Sequence, residues 1–353
     1  FIKRTELISN FITAMPGQGG IGDKSVIAIL KHKGKEIHRS EENFLYQSLK
    51  VEWNLEQNEV HYTRIDYFNL DKPQEIHIYE PESQLHHPLR LLRSILIGFS
   101  EGKFLAWRLF RRNISAMYRQ SFLGLAWAFI PPIMSTLFWV FLRGQNVFTV
   151  DDTPIPYIVF VFTGTILWQI FLDALNTPLK VIQQAKSMLV KINFPREAIL
   201  LSGFYEIVFN LLIKLVLLIF VFVFTGMHFH VSAFAGLIGI LTIIFLGFTF
   251  SLILAPISLL YGDVQKGIAI ITQFLFFLTP IIYPMPKGGM IAVVARINPV
   301  ATILDESRTW LAIGYNGVSA DFILIFGLSL LGMVCGLILF RLSLPHLIER
   351  IGS

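Results

Sequence analysis

The sequence predicts a mainly α-helical, polytopic membrane protein with six transmembrane helices, preceded by a small N-terminal soluble module of α+β or β character. Three observations carry that expectation. Of 353 residues, 54% are hydrophobic, and the mean hydropathy is +0.61, too apolar for a water-soluble domain of this length. Beyond residue 120 the apolar residues gather into runs of about 20, the number that crosses a ~30 Å hydrocarbon core at about 1.5 Å per helical residue. The formal charge of +5 is unevenly spread: residues 1–78 hold ten Lys and Arg against eleven Asp and Glu, and the rest of the chain nineteen against thirteen. A basic excess confined to the apolar part suits membrane topology and lipid headgroups, not nucleic acid.

Residues 1–78 form the soluble module. Alternation at Val51, Trp53 and Leu55, and again at Ile76 and Ile78, reads as strands, with turns at Gln57-Asn58 and at 69–73. Gly17 to Ser25 comes within one residue of the phosphate-cradling pattern G-x-x-x-x-G-K-[ST]. Asp23, however, separates Gly22 from Lys24 and puts a carboxylate where phosphate oxygens would lie, so the stretch reads as a Gly-rich turn. His86-His87 and the pair His228 and His230 lack the Cys or carboxylate partners of a metal site and read as interfacial histidines, so no metal site is expected. The single Cys335 lies in the last apolar run and reads as packing.

Residues 79–120 lead into the membrane. Arg108, Arg111, Arg112 and Arg119 alternate with Leu105, Trp107, Leu109, Phe110, Ile114, Met117 and Tyr118. That spacing predicts a basic amphipathic interface helix lying on an anionic cytoplasmic leaflet with its aromatics among the acyl chains. A transmembrane domain over 121–343 follows, with spans at 121–142, 155–175, 199–225, 234–260, 268–283 and 322–340, and a tail at 344–353. Six spans put both termini on one side, shared with the basic 180–197 loop, the Lys266 loop and the tail. The positive-inside rule makes that side cytoplasmic and the long 284–321 connection external. Within that connection, Pro280, Pro284, Pro286 and Pro299 cut the chain into pieces too short to span, which fits re-entrant half-helices covered by protein or water.

Four separated motifs share a resemblance. Arg112, Tyr118, Ser121, Leu123, Gly124, Trp127 and Pro131 form the first. Leu189, Val190, Phe194, Pro195, Arg196 and Glu197 form the second. Tyr261-Gly262-Asp263-Val264 with FLTPIIYP at 277–284 is the third, and Ile297-Asn298-Pro299 with Arg308 is the fourth. In this order, and over about residues 79–353, they resemble the ABC-2-type permeases that export lipid-linked polysaccharides such as O antigens, capsules and teichoic acids. The chain departs from that pattern at Asn113, Ser115 and Met117, and at Gly262, where charged residues are more usual.

The resemblance implies a channel-forming transport subunit, not an enzyme, with no catalytic residue of its own. It implies a homodimer in the cytoplasmic (inner) membrane, served by a separate ABC ATPase subunit that carries ATP and Mg, moving an undecaprenyl-type lipid-linked glycan outward. Leu189, Lys191, Phe194, Pro195, Arg196, Glu197 and Asp263 are then the ATPase contacts. Phe194 offers a hydrophobic anchor, Pro195 ends a short helix, and Arg196 with Glu197 fixes register. Phe129, Phe138, Trp139, Phe160 and Trp168 would line the substrate path. Pro280, Tyr283, Pro284, Asn298, Pro299 and Arg308 would form the external gate. Glu206 and Lys214, charged groups inside the third span, are expected to turn one of their number toward a pore, a subunit interface or the ATPase side, because an unpaired charge costs ~2.5–3.5 kcal/mol at the bilayer centre. Two alternatives stand beside this reading: an ABC-2 exporter of drugs or small lipids, and a membrane-embedded glycosyl- or acyltransferase. The second calls for clustered Asp, Glu or His, whereas the acidic residues of the membrane half are scattered.

Overall fold

The computed structural model describes residues 11–16, 26–32, 35–42, 48–54, 59–65 and 74–75, and residues 88–352 apart from 120–121, 123, 148–149, 192–193, 228–229 and 315–316. The Gly-rich 17–25 stretch, the turns at 57–58 and 69–73, Ile76, Ile78, His86, His87, His228, Ser121 and Leu123 lie outside the described residues. The chain divides into two units, Phe1–Ser83 and Gln84–Ser353. In the first, β1 (Phe11–Pro16), β2 (Val26–His32), β3 (Lys35–Glu42), β4 (Ser48–Asn54), β5 (Glu59–Ile65) and β6 (Gln74–Glu75) pair in the order β3-β2-β1-β4-β5-β6. Every pairing is antiparallel. Val51 and Trp53 lie in β4, opposite Tyr62 and Val60 of β5.

The second unit is helical. Its first helix, α1 (Pro88–Arg119), is longer than the amphipathic pattern that begins at Leu105, because Pro88 opens it and nothing in the next 31 residues breaks it. Leu91, Ile95, Gly98, Gly102, Ala106 and Leu109 are buried. Steps of three and four place them on one stripe. That stripe packs on α5 (Glu197–Phe224): a Cβ built at Gly102 would lie 3.1 Å from the Ala198 Cβ.

The span expected at 121–142 is corrected. Gly124, with φ +50°, opens a 3-10 turn over Gly124–Ala128, and α2 begins only at Ile130 and runs to Gly144. Pro131 and Pro132 dictate the boundary, since they lack the N–H groups that a helix interior needs but fit its first positions. At about 1.5 Å per residue, α2 reaches only about 22 Å. The span expected at 268–283 also ends early. In α7 (Asp263–Leu278) the next residue, Thr279, adopts φ −100°, ψ 136°, the extended conformation that a following proline imposes, here Pro280. Among the described residues, four helices are long and apolar enough to cross a bilayer: α3 (Tyr157–Gln184), α5, α6 (Ala233–Leu260) and α10 (Ala320–Gly352). Between them lie α4 (Lys186–Lys191), α8 (Gly289–Ile297), α9 (Pro299–Arg308) and a π turn over Thr309–Ile313.

Helix α6 is the centre of the bundle, buried against α3, α9 and α10. Lipid offers helices no hydrophobic incentive to associate, so close packing of small residues sets their spacing. A Cβ at Gly247 would lie 2.7 Å from the Ala174 Cβ of α3. On α10, Gly332 and Gly336 close on Thr249 and Leu252 of α6, at 2.7 and 2.8 Å for a built Cβ. The Thr249 hydroxyl donates to the Ser329 carbonyl at 3.0 Å, and the Gln183 side chain donates to the Ser258 carbonyl at the α6 C-terminal end. Gly239 faces Ser307 of α9, whose Cβ would be 2.8 Å from a new methyl. Gly239→Leu is therefore expected to wedge α9 from α6 and destabilise the protein by about 1–3 kcal/mol. Gly327→Leu, facing open space, should leave stability unchanged, and thermal unfolding in detergent compares the two.

Candidate functional site

Between α7 and α9 the backbone leaves helical geometry at Thr279 and regains it at Gly289, so its carbonyls need other donors. Three side chains supply them. The Tyr283 hydroxyl donates to the Phe277 carbonyl at 2.8 Å, Arg308 Nη2 to the Pro280 and Ile281 carbonyls at 2.9 and 3.0 Å, and the Tyr157 hydroxyl to the Ile282 carbonyl at 3.1 Å. Asn298 fastens the other side: its Oδ1 accepts from the Val300 N–H at 3.0 Å, capping α9, and its Nδ2 donates to Thr279 Oγ1 at 2.9 Å. Pro299 follows as the first helical residue, where its missing N–H is harmless. The helix-break-helix form expected from the prolines is what the structure shows, and Tyr283, Asn298, Pro299 and Arg308 are brought together around it.

Arg308 is the centre of this cluster. It is 1% exposed, its guanidinium lies 3.8 Å over the Phe160 ring, and among the described residues its acidic neighbour is Asp305, at 4.0 Å. Gly164 makes the room. A Cβ there would collide with Arg308 Nη2 and lie 2.6 Å from the Ile281 carbonyl oxygen. On the same side Arg143 lies 4.1 Å over the Tyr157 ring.

The five aromatics expected along a substrate path differ in exposure. Phe160 and Trp168 are 2% and 4% exposed, so within this chain neither offers a face to a passing sugar. Phe160 is the platform of Arg308, and Trp168 packs on Phe171 and Phe276 at 5.4 and 6.0 Å. Trp139 stacks on Phe276 at 6.1 Å and meets Phe138 at 5.4 Å. Phe138 is exposed and Phe129 half-buried.

The opposite end of α3 leads into the segment 186–196. Helix α4 ends at Lys191, not at Pro195. Instead Pro195 lies two residues before α5, its carbonyl accepting from the Ala198 N–H at 3.0 Å. Leu189 is buried and Phe194 half-buried against the core. The side chain of Lys191 lies outside the described residues. Glu197 does not project outward beside Arg196; it is ion-paired with Arg341 of α10. Asp263 is 89% exposed, 3.0 Å from Lys266. On α1, Arg108, Arg111, Arg112 and Arg119 are exposed and Tyr118 is half-buried. Phe110 packs edge-on to Tyr205 and Phe209 of α5, so α1 is anchored to the bundle.

Glu206 and Lys214 are also corrected. Neither faces outward unpaired. Glu206 binds Lys180 at 2.8 Å, and Lys214 binds Asp173 at 2.5 Å and the Gln169 carbonyl at 3.0 Å. Sequence reasoning missed Asp173, Lys180, Arg341, Thr279 and Gly164. A signal existed for the first two: Asp173 and Lys180 are seven apart on α3, and Glu206 and Lys214 eight apart on α5 in the same acid-then-base order, which antiparallel helices turn into two facing pairs of opposite charge.

A multi-pass helical bundle with a broken, internally bonded segment near one end is a membrane transport architecture, and the sequence comparison agrees. The family model described as ABC-2 type transporter matches residues 105–311, more than half of the chain, and the chain belongs to that family. It is similar to the O-antigen export system permease protein RfbA of Myxococcus xanthus, 29% identical over 59% of this chain and 73% of the relative. It is also similar to RfbA of Klebsiella pneumoniae, 26% identical over 58% and 78%. The polysialic acid transport protein KpsM of Escherichia coli is 25% identical over 69% of this chain and 95% of its own length.

The α3–α5 ion pairs generate a prediction with a sign. Lys214→Met leaves Asp173 uncompensated and should cost about 3–5 kcal/mol, whereas Lys214→Met with Asp173→Leu should recover most of that loss. Thermal unfolding of the purified permease in detergent reads both.

Proposed function

We propose that this chain is the channel-forming membrane subunit of an ATP-driven exporter that moves a lipid-linked polysaccharide of the O-antigen kind across the cytoplasmic membrane. It acts as a homodimer, and a separate ATPase subunit binds ATP and Mg and supplies the energy. The observation that supports this best is the position of two specialised segments at opposite ends of α3. Tyr157 at its start holds the Ile282 carbonyl of the broken segment, and Gln184 at its end runs into α4. Twenty-eight helical residues set them about 42 Å apart, a membrane's thickness. The relatives named as O-antigen and polysialic acid transporters favour a glycan over a drug or small lipid.

In this reading α2 and α7 complete six spans with the four long helices. Residues 1–78 and the C terminus are cytoplasmic, the 1–78 module is a soluble accessory, and the 279–308 segment is an external gate. Single cysteines at Ser187→Cys and Gly352→Cys, in a chain with Cys335 replaced, should resist an impermeant thiol reagent in intact cells. Labelling at both would invert the topology.

Phe194 and the exposed Asp263 are the docking groups. Truncating an anchoring aromatic in a protein interface commonly costs about 2 kcal/mol or more. Phe194→Ala with Arg196→Glu should therefore weaken ATPase-subunit binding by at least ~30-fold and abolish surface glycan, while the permease still reaches the membrane. The test is co-purification of the ATPase subunit and surface glycan in one strain. Full recovery of both would move docking to the Asp263 turn or to α1.

A further inference from the structure

The Glu197 carboxylate is the first group of α5, directly after the segment assigned to the ATPase. A helix N-terminus accommodates an acid in water without help, yet this one is turned inward. Glu197 and Arg341 are 12% and 11% exposed and ion-paired. Two glycines of α1 close over the same turn: a Cβ at Gly98 would lie 2.7 Å from Glu197 Cδ and Oε2, and one at Gly102 3.1 Å from the Ala198 Cβ. The carboxylate is thus held between α1 and α10. From Arg341, α10 grips α6 through Gly336 on Leu252 and Gly332 on Thr249, and α6 grips the far segment through Gly239 on Ser307, one residue from Arg308.

We propose that the Glu197–Arg341 pair is the internal link that carries a displacement of residues 186–196 to α10 and α1, and through α6 to the broken segment around Arg308. The proposal rests on the reading of 186–196 as the ATPase contact. Phe194 docks, and Glu197 transmits. Both members of the pair are positioning residues. Opening a nearly buried ion pair costs both charges a close partner, so the first turn of α5 and the α10 segment around Arg341 move together. Two densely packed helices then pass that movement on, because glycine contacts of this closeness leave no slack to absorb it.

The test uses the whole permease with its ATPase subunit. Arg341→Gln should leave recovery of the ATPase subunit and ATP hydrolysis within about twofold of wild type and reduce surface glycan at least ~10-fold. Glu197→Gln should reduce glycan equally. The double variant should be no worse than either single, as groups acting as one unit require, and Arg341→Lys should restore at least about half of the export. Normal export in Arg341→Gln, multiplicative loss in the double variant, no rescue by lysine, or loss of the ATPase subunit in proportion to export would each overturn the link. A second readout needs no glycan. In a chain with Cys335 replaced, spin labels at Ser187→Cys and Asp321→Cys should show an ATP-dependent change in separation that Arg341→Gln removes, and persistence of the change overturns the proposal. Failure of the wild-type chain to restore glycan to a strain lacking it, with the label movement intact, would instead overturn the functional reading.

Discussion

A peptide group inside a membrane protein must be hydrogen-bonded within the protein, since each unsatisfied one costs several kcal/mol in hydrocarbon. This chain breaks its helical ladder at Pro280, in the middle of an apolar sequence, and much of the surrounding architecture answers to that break. Tyr283, Arg308 and Tyr157 serve the exposed carbonyls, and Asn298 with Thr279 holds the two flanking helices at a fixed distance. Serving them has its own requirements. A guanidinium in apolar surroundings needs acceptors and polarisable company: the two carbonyls serve Nη2, and the Phe160 face lies against the group. It also needs space, and Gly164 leaves the necessary notch in α3. Removing any one of these leaves the others without purpose.

Two kinds of contact divide the remaining task. Small residues set how closely α6 approaches α3, α9 and α10, and a single added methyl is felt because there is no void to receive it. Ion pairs contribute little net attraction once the desolvation of both partners is counted. They are intolerant of misalignment instead. A slip of one residue between α3 and α5 would part Lys180 from Glu206 and Asp173 from Lys214, so the pairs select register where the glycines select distance.

The long apolar helices were legible because nothing in them conflicts with a continuous span, and Asn298-Pro299 was legible because cap and first-turn proline are adjacent in sequence. The first span misled because hydropathy alone cannot see that Pro131 and Pro132 belong at a helix start. Glu206 and Lys214 misled for a different reason: their partners lie 26 and 41 residues away, and a charge read in isolation inside an apolar run looks exposed to something. Phe160 and Trp168, expected along a substrate path, are buried, because side-chain direction around a largely buried helix has no sequence signature when every face is apolar. Glu197 illustrates the limit most clearly, since the contacts that hold it inward come from the glycine at position 98 and from an arginine 144 residues on.

The notch at Gly164 also bears on how the chain is made. Arg308 emerges from the ribosome long after α3, and its cation has no suitable surroundings until the Phe160 ring, the Gly164 recess and the two carbonyls of the broken turn are in place. The seat is assembled from three places in the chain, so it is complete only when α3, the broken turn and α9 have come together. A side chain larger than glycine at residue 164 would therefore leave α3 itself intact and be felt at a distance, in the docking of α9 through Arg308.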